Sequence, residues 1–131
     1  MKNEIIGLAK KDFASPFFLC IFAVGIMEQQ KVIERIKETA DRILPEGASL
    51  WLYGSRARGD ARPDSDYDLL ILLDKDHISS TDHDNYSYPL REMGWEIDEE
   101  INPHIYPQKE WSTWEYVPFH DNVEEDKIVL I

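Results

Sequence analysis

Two aspartates, Asp66 and Asp68, stand two residues apart at the mouth of the apolar run Asp66–Leu73 (DYDLLILL). On an extended strand that spacing projects both side chains from one face, roughly 7 Å apart at the backbone. Carboxylates placed so can share hard divalent cations, and Mg²⁺ commonly takes one or two of them together with phosphate oxygens. An Asp-x-Asp alone reads more readily as acids facing water at a loop-to-strand junction. The residues upstream tip the balance. Gly54 allows a sharp bend and a close approach of backbone to a ligand, and Ser55 adds a hydroxyl. The first amides of a following helical turn would point at an anion. Arg56 and Arg58 suit bidentate contacts with phosphate oxygens, although pairing with nearby acids is the competing reading for Arg56 and Arg62. The Lys-Ser/Thr ending of a Walker A loop is absent. Leu50–Asp74 therefore predicts a site for a metal-bound nucleotide.

The elements that must position these groups follow from the pattern. Val32, Ile33, Ile36, Ala40, Ile43 and Leu44 recur at helical period over Glu28–Leu44, and Pro45 and Gly47 end the run. Ser49–Tyr53 reads as a strand broken by Gly54, Ser55–Arg58 as one helical turn, and Gly59–Ser65 as a polar loop. Asp66–Leu73 is the clearest strand, and its unbroken apolar run implies burial on both faces. Asp74–Thr81 is a polar connection. Asp82–Trp95 reads as a helix interrupted by Pro89, which disfavours helical geometry at Tyr88, and closed by Gly94. Glu96–Tyr106 alternates as a third strand, which Pro103 assigns to an edge or bulge. Gln108–Trp114 suggests a short helix. Ile128–Ile131 is an apolar end that docks as a strand or a peg.

The 131 residues suit one domain. Hydrophobic and charged contents of 43% and 31% are ordinary for a globular protein, whereas a formal charge of −12 is not. So acidic a surface opposes tracking of a nucleic-acid backbone, since phosphates would be repelled. It favours solubility, a basic protein partner or gathered cations. The single Cys20 rules out an intrachain disulfide and a Cys-rich zinc site, so a reducing cytoplasm is the expected compartment. His77, His83, His104 and His120 lack metal-ligand spacing and read as surface or satisfied residues. The tryptophans read as core and interface, with Trp51 beside the Gly-Ser turn as a candidate pocket wall.

Phe13–Met27 is almost wholly apolar and follows Lys10 and Lys11. It is too short to span a bilayer, which needs about 20 residues, so a membrane association is not expected. It is read first as an extension upstream of a true start at Met27, second as an extra packed segment or weak anchor, and third as a signal. The division is thus 1–27 as extension and 28–131 as the working domain.

Gly54-Ser55, ten intervening residues and Asp66-x-Asp68 resemble the motif of the DNA polymerase β-like nucleotidyltransferase superfamily. The fuller string Gly54-Ser55-Arg56-Ala57-Arg58-Gly59 resembles its minimal nucleotidyltransferases, over approximately Glu28–Ile131. The resemblance implies an α/β (α+β) fold, a mixed sheet of three to four strands flanked by helices. It also implies two Mg²⁺ ions on Asp66, Asp68 and a third acid from a neighbouring strand, with Gly54, Ser55 and Arg58 on the nucleotide. Glu100 is the first candidate for that acid, in Glu100-Ile101-Asn102-Pro103, and Asp98 the second. Many minimal members carry an Asp further along, where this chain has Asn102 or His104. The implied activity moves a nucleoside monophosphate, AMP from ATP, to a hydroxyl acceptor, with a tyrosine of a helical partner toxin leading. The alternative is a catalytically weak antitoxin of the same fold that acts by binding its partner.

Overall fold

Apolar residues at helical spacing need a surface to cover, and in this chain the surface is a four-stranded sheet. The computed structural model describes residues 16–131. Helix α1 runs Pro16–Ile43 and buries Val32, Ile36 and Ala40. It is longer than the expected Glu28–Leu44, because the apolar Pro16–Met27 continues the same helix without a break at Met27. Leu19, Val24, Ile26 and Met27 on that upstream part are exposed. The first fifteen residues, with the basic lead that prompted the signal reading, lie outside the described residues. Among the described residues no helix is long and apolar enough to cross a membrane.

Strand β1 (Ser49–Tyr53), the short helix α2 (Ser55–Arg58) and strand β2 (Tyr67–Leu73) form where the sequence predicts them. With β3 (Ile101–Pro107) and β4 (Ile128–Val129) the order is β3-β2-β1-β4. The β1 strand is antiparallel to both β2 and β4, and β2 is parallel to β3. Leu69, Leu70, Ile71 and Leu73 of β2 are fully buried, each contributing about 1.5–3 kcal/mol by leaving water. A strand apolar on both sides needs cover on both faces. Leu50, Leu52, Leu69 and Ile71 pack under α1 with Leu90 and Met93, while Leu70 and Leu72 pack with Trp111 and Val123 on the other face.

Among the described residues β3 is an edge strand, one of the two placements Pro103 allows. The Tyr67 amide donates to the Glu100 carbonyl at 2.9 Å. The alternation of a parallel ladder then turns the backbones of Asn102, His104 and Tyr106 toward β2, and those of Ile101, Pro103, Ile105 and Pro107 outward. Pro103 and Pro107 thus remove two amide donors from the outer edge, which blunts pairing with another strand.

The β2-to-β3 crossover departs from expectation in three places. Helix α3 (Ser80–Asp82), opened by a Ser79 capping box, runs into a π-helical turn over His83–Ser87 and then α4 (Tyr88–Glu96). Tyr88 is helical after all, and the interruption lies upstream of Pro89. The Tyr88 amide reaches back to the His83 carbonyl, a widened turn just before a residue with no amide of its own. Gly94 does not end α4 but sits inside it, because a Cβ there would meet Ile101 Cγ1 at 2.5 Å and the Glu99 carbonyl at 2.7 Å. Residues 97–100 form a turn, not strand, with Asp98 at φ 60°. Asp98 and Glu100 therefore do not share a strand face.

After β3 come α5 (Gln108–Thr113) and α6 (Pro118–Asp126), and the end of the chain docks on β1 as β4. The sequence reading missed α6, which buries Val123 alone. α5 and α6 cover the Leu70–Leu72 end of their face through Trp111 and Val123, while Asp66, at the other end, remains exposed and Asp68 half-buried.

Candidate active site

Gly54 holds φ 74° and ψ −156°, a region only glycine occupies without strain. A Cβ at this position would lie 2.7 Å from Asp68 Oδ2. Two demands, the bend and the carboxylate's approach, converge on one residue. The turn that should hold an anion thus abuts a carboxylate that should hold a cation. Ser55 opens α2, whose amides at Ala57 and Arg58 both bond the Gly54 carbonyl.

Asp68 pairs in register with Tyr53 on β1 and with Asn102 on β3. Asn102 Nδ2 donates to Asp68 Oδ1 at 3.3 Å, and Arg91 Nη2 donates to Asn102 Oδ1 at 3.1 Å. A guanidinium can only donate and a carboxylate only accept, so the two neighbours fix the amide's orientation. Burial raises the Asp68 pKa; the Asp66 charge adds to this, and the Asn102 bond opposes it. Burial pushes the Tyr53 phenol well above its ordinary range, with Asp68 reinforcing the shift. His104, one step further along the same face of β3, has its pKa lowered by burial, with Arg91 acting in the same direction and Asp68 against it. Tyr53 and Arg91 escaped the sequence reading, which met His104 only as a surface or satisfied residue and as a position where related chains carry an Asp. Alternation along β1 points to Tyr53, but the positions of Arg91 and His104 depend on the crossover.

The expected trio of carboxylates is not assembled: among the described residues no three His, Cys, Asp or Glu side chains are grouped to hold a metal ion. Glu100 is exposed and borders a hollow with Trp95, Asp98 and Glu99. Asn102, not an acid, faces Asp68. The donor set of Asp66 and Asp68 fits one hard cation completed by phosphate oxygens. It does not fit a second cation that needs its own carboxylate.

The arginines divide the work differently from expectation. Arg56 is buried and meets carbonyls instead of acids: it donates to Ser65 O at 3.0 Å, Pro63 O at 3.1 Å and Gln29 Oε1 at 3.3 Å. Its guanidinium lies 4.3 Å from the centre of the Tyr67 ring. Arg56 thus ties the loop to α1 just before Asp66 emerges. Burial pushes the Tyr67 phenol to about 12, with Arg56 opposing the shift. Arg58 bonds Asp60 at 3.2 Å and Asp126 at 2.7 Å. Arg62 takes part through its backbone, its amide donating to Ser65 Oγ at 2.8 Å. Trp51 packs edge-on to Trp111 under Lys127.

A mixed sheet with a glycine turn against paired aspartates defines the class of nucleotidyltransferase folds. The chain belongs to the nucleotidyltransferase domain family, whose model matches residues 33–130. Two solved structures share the fold. A toxin-antitoxin structure with AMP-PNP aligns at 16% identity and TM-score 0.54, covering 76% of this chain and 72% of that one. A presumed nucleotidyltransferase from Sulfolobus solfataricus aligns at 20% identity and TM-score 0.53, covering 80% and 84%. No curated protein matches by sequence.

Proposed function

We propose that this chain binds a nucleoside triphosphate with Mg²⁺ and transfers its nucleoside monophosphate, AMP from ATP, to a hydroxyl acceptor. The observation that supports this reading is the approach of Gly54 to Asp68, a glycine turn suited to phosphates against a carboxylate suited to a cation. Gly54 and Ser55 hold the triphosphate tail, and Asp66 and Asp68 are the carboxylates that would hold the metal. When bound, a divalent cation supplies charge neutralisation at the transferring phosphate and its leaving group. Arg58 pairs with Asp60 through Nε and with Asp126 through Nη1, so it would meet a phosphate with part of its guanidinium already engaged. A tyrosine of a partner toxin is the leading acceptor, a reading supported by the likeness to a toxin-antitoxin structure with AMP-PNP and by the acidic charge of −12.

A second reading is a weak catalyst that neutralises its partner by binding, and the Asn102–Asp68 bond favours it. An amide in that position cannot act as a base. Transfer of label from α-labelled ATP to a co-expressed partner separates the two. Label that persists in an Asp66→Asn, Asp68→Asn double variant would sink the transferase reading. Neutralisation that survives in that variant supports binding alone.

A further inference from the structure

Tyr88 and Trp95 stand two helical turns apart on one face of α4, and their rings meet edge to face at 6.0 Å. Both stay half exposed, at 50% and 54%, whereas Leu90 and Met93 of the same helix are buried. Beside them lies the hollow that Trp95 shares with Asp98, Glu99 and Glu100, about 270 Å³ in volume. That is below the roughly 300–1,000 Å³ of small-molecule sites, and it suits one inserted side chain. We propose that this surface docks a basic partner polypeptide by taking one of its arginine side chains into the hollow, against the Trp95 ring and among the three carboxylates. The inference goes beyond the transferase reading and does not rest on it.

Charge complementarity names the occupant. Residues 92–100 carry five acids, Glu92, Glu96, Asp98, Glu99 and Glu100. The nearby cations are engaged elsewhere. Arg91 bonds Asn102, Arg56 bonds Gln29 and the Pro63 and Ser65 carbonyls, and Arg35 approaches Glu96 at 3.9 Å. Among the described residues Asp98, Glu99 and Glu100 form no ion pair. Burial raises the Glu99 pKa; Arg56 opposes the shift, and Asp98 and Glu28 add to it. Carboxylates that border one hollow repel each other, and an entering cation removes that cost.

The aromatic wall selects arginine over lysine. A guanidinium is planar and weakly hydrated, so it lies flat on an indole and keeps its N–H groups for carboxylates at the rim. Elsewhere in the chain Arg56 lies over Tyr67 and Lys127 over Trp51, but among the described residues no cation covers Trp95. The Glu100 carbonyl accepts the Tyr67 amide, so the hollow opens at the end of the sheet where Asp66 and Asp68 stand. A partner held there has its chain beside the candidate site. Asp98 and Glu100, which do not join Asp68, thereby serve as docking carboxylates.

The test titrates the full chain with a short acetylated peptide of alternating arginine and glycine. It reads the Trp95 indole N–H resonance, identified by its loss in Trp95→Ala. That resonance should shift to saturation, and affinity should fall as salt is raised. Trp95→Ala should weaken binding by about 2- to 30-fold, the range a cation over an aromatic face commands. Glu99→Gln, Glu100→Gln should weaken it independently and flatten the salt dependence. The same peptide with citrulline, the uncharged isostere, should not bind, and with lysine it should bind more weakly. Equal binding of the citrulline peptide, or an arginine peptide that leaves the Trp95 resonance in place, would overturn the docking assignment. Equal binding of the lysine peptide would overturn the choice of arginine. Binding lost in an Asp66→Asn, Asp68→Asn chain would move the cation to those aspartates and overturn the hollow as its seat.

Discussion

Asn102 lies directly across the β2–β3 ladder from Asp68 and gives its side-chain amide to Asp68 Oδ1 at 3.3 Å. The pairing makes Asp68 one member of a chain, Arg91 to Asn102 to Asp68. Positive charge reaches the carboxylate through a neutral relay. The Asn102 bond offsets part of the burial that disfavours the ionised carboxylate and pairs it with no charge, which leaves it able to bind a cation.

Asp68→Asn should therefore separate stability from function. Burial and the Asp66 charge raise the Asp68 pKa, so the ionised carboxylate is held at a cost. The substituted amide still presents an oxygen to Asn102 Nδ2. At neutral pH the variant should be as stable as the parent or more so, by less than about 1 kcal/mol given solvent screening at a half-open site. A raised folded-state pKa means the parent gains relative stability as pH falls through it. The advantage of the variant should then vanish in acid, as thermal melts across pH would record. Mg·ATP binding, followed by calorimetry, should be lost.

Gly54→Ala tests whether the turn and the carboxylate must touch. The new Cβ meets Asp68 Oδ2 at 2.7 Å in a backbone region closed to alanine. The strain alone is about 1–3 kcal/mol. Denaturant unfolding should show the loss, and nucleotide affinity should fall further than stability does. A variant that binds Mg·ATP normally would disprove the contact's role.

Arg56→Lys is not conservative here. The guanidinium serves Ser65 O, Pro63 O and Gln29 Oε1 from one plane, which an ammonium cannot reproduce. Losing hydrogen bonds to these part-buried carbonyls costs about 0.5–1.5 kcal/mol each. Residues 59–65 should become the first site of limited proteolysis, with the melting temperature lowered.

What the sequence disclosed and what it withheld divide along the range of the interactions. β1, the Gly54 turn and β2 are legible because each is set by neighbours within a few residues: alternation, a glycine, an unbroken apolar run. The role of Arg56 is not, since its partners Gln29 and Ser65 come from separate elements. Asp98 read as a strand residue because Ile97 and Ile101 alternate with acids, but close packing of Gly94 on Ile101 forces a turn between them. α6 meets the core with only Phe119 and Val123, a stripe too short to read as a helix. Asn102 was visible as a residue, while its register opposite Asp68 needed the crossover that sets β3 beside β2.

That register makes Asn102→Asp the decisive substitution. It places a third carboxylate opposite Asp68 and beside Arg91, where the parent has a neutral amide. Without metal the variant loses the Asn102–Asp68 bond and sets two carboxylates together, so it should melt lower than the parent, and Arg91 only partly offsets the repulsion. With Mg²⁺ the order should reverse, because a cation between the acids removes that cost. Metal affinity should rise by about 10- to 100-fold, the range that groups around a metal command, and AMP transfer should rise with it if the parent is a slow transferase. Melting curves with and without Mg²⁺, beside label transfer from α-labelled ATP, read both effects. Tighter metal binding with no gain in transfer would favour the binding-only reading, because the missing carboxylate would then not be what limits the chemistry.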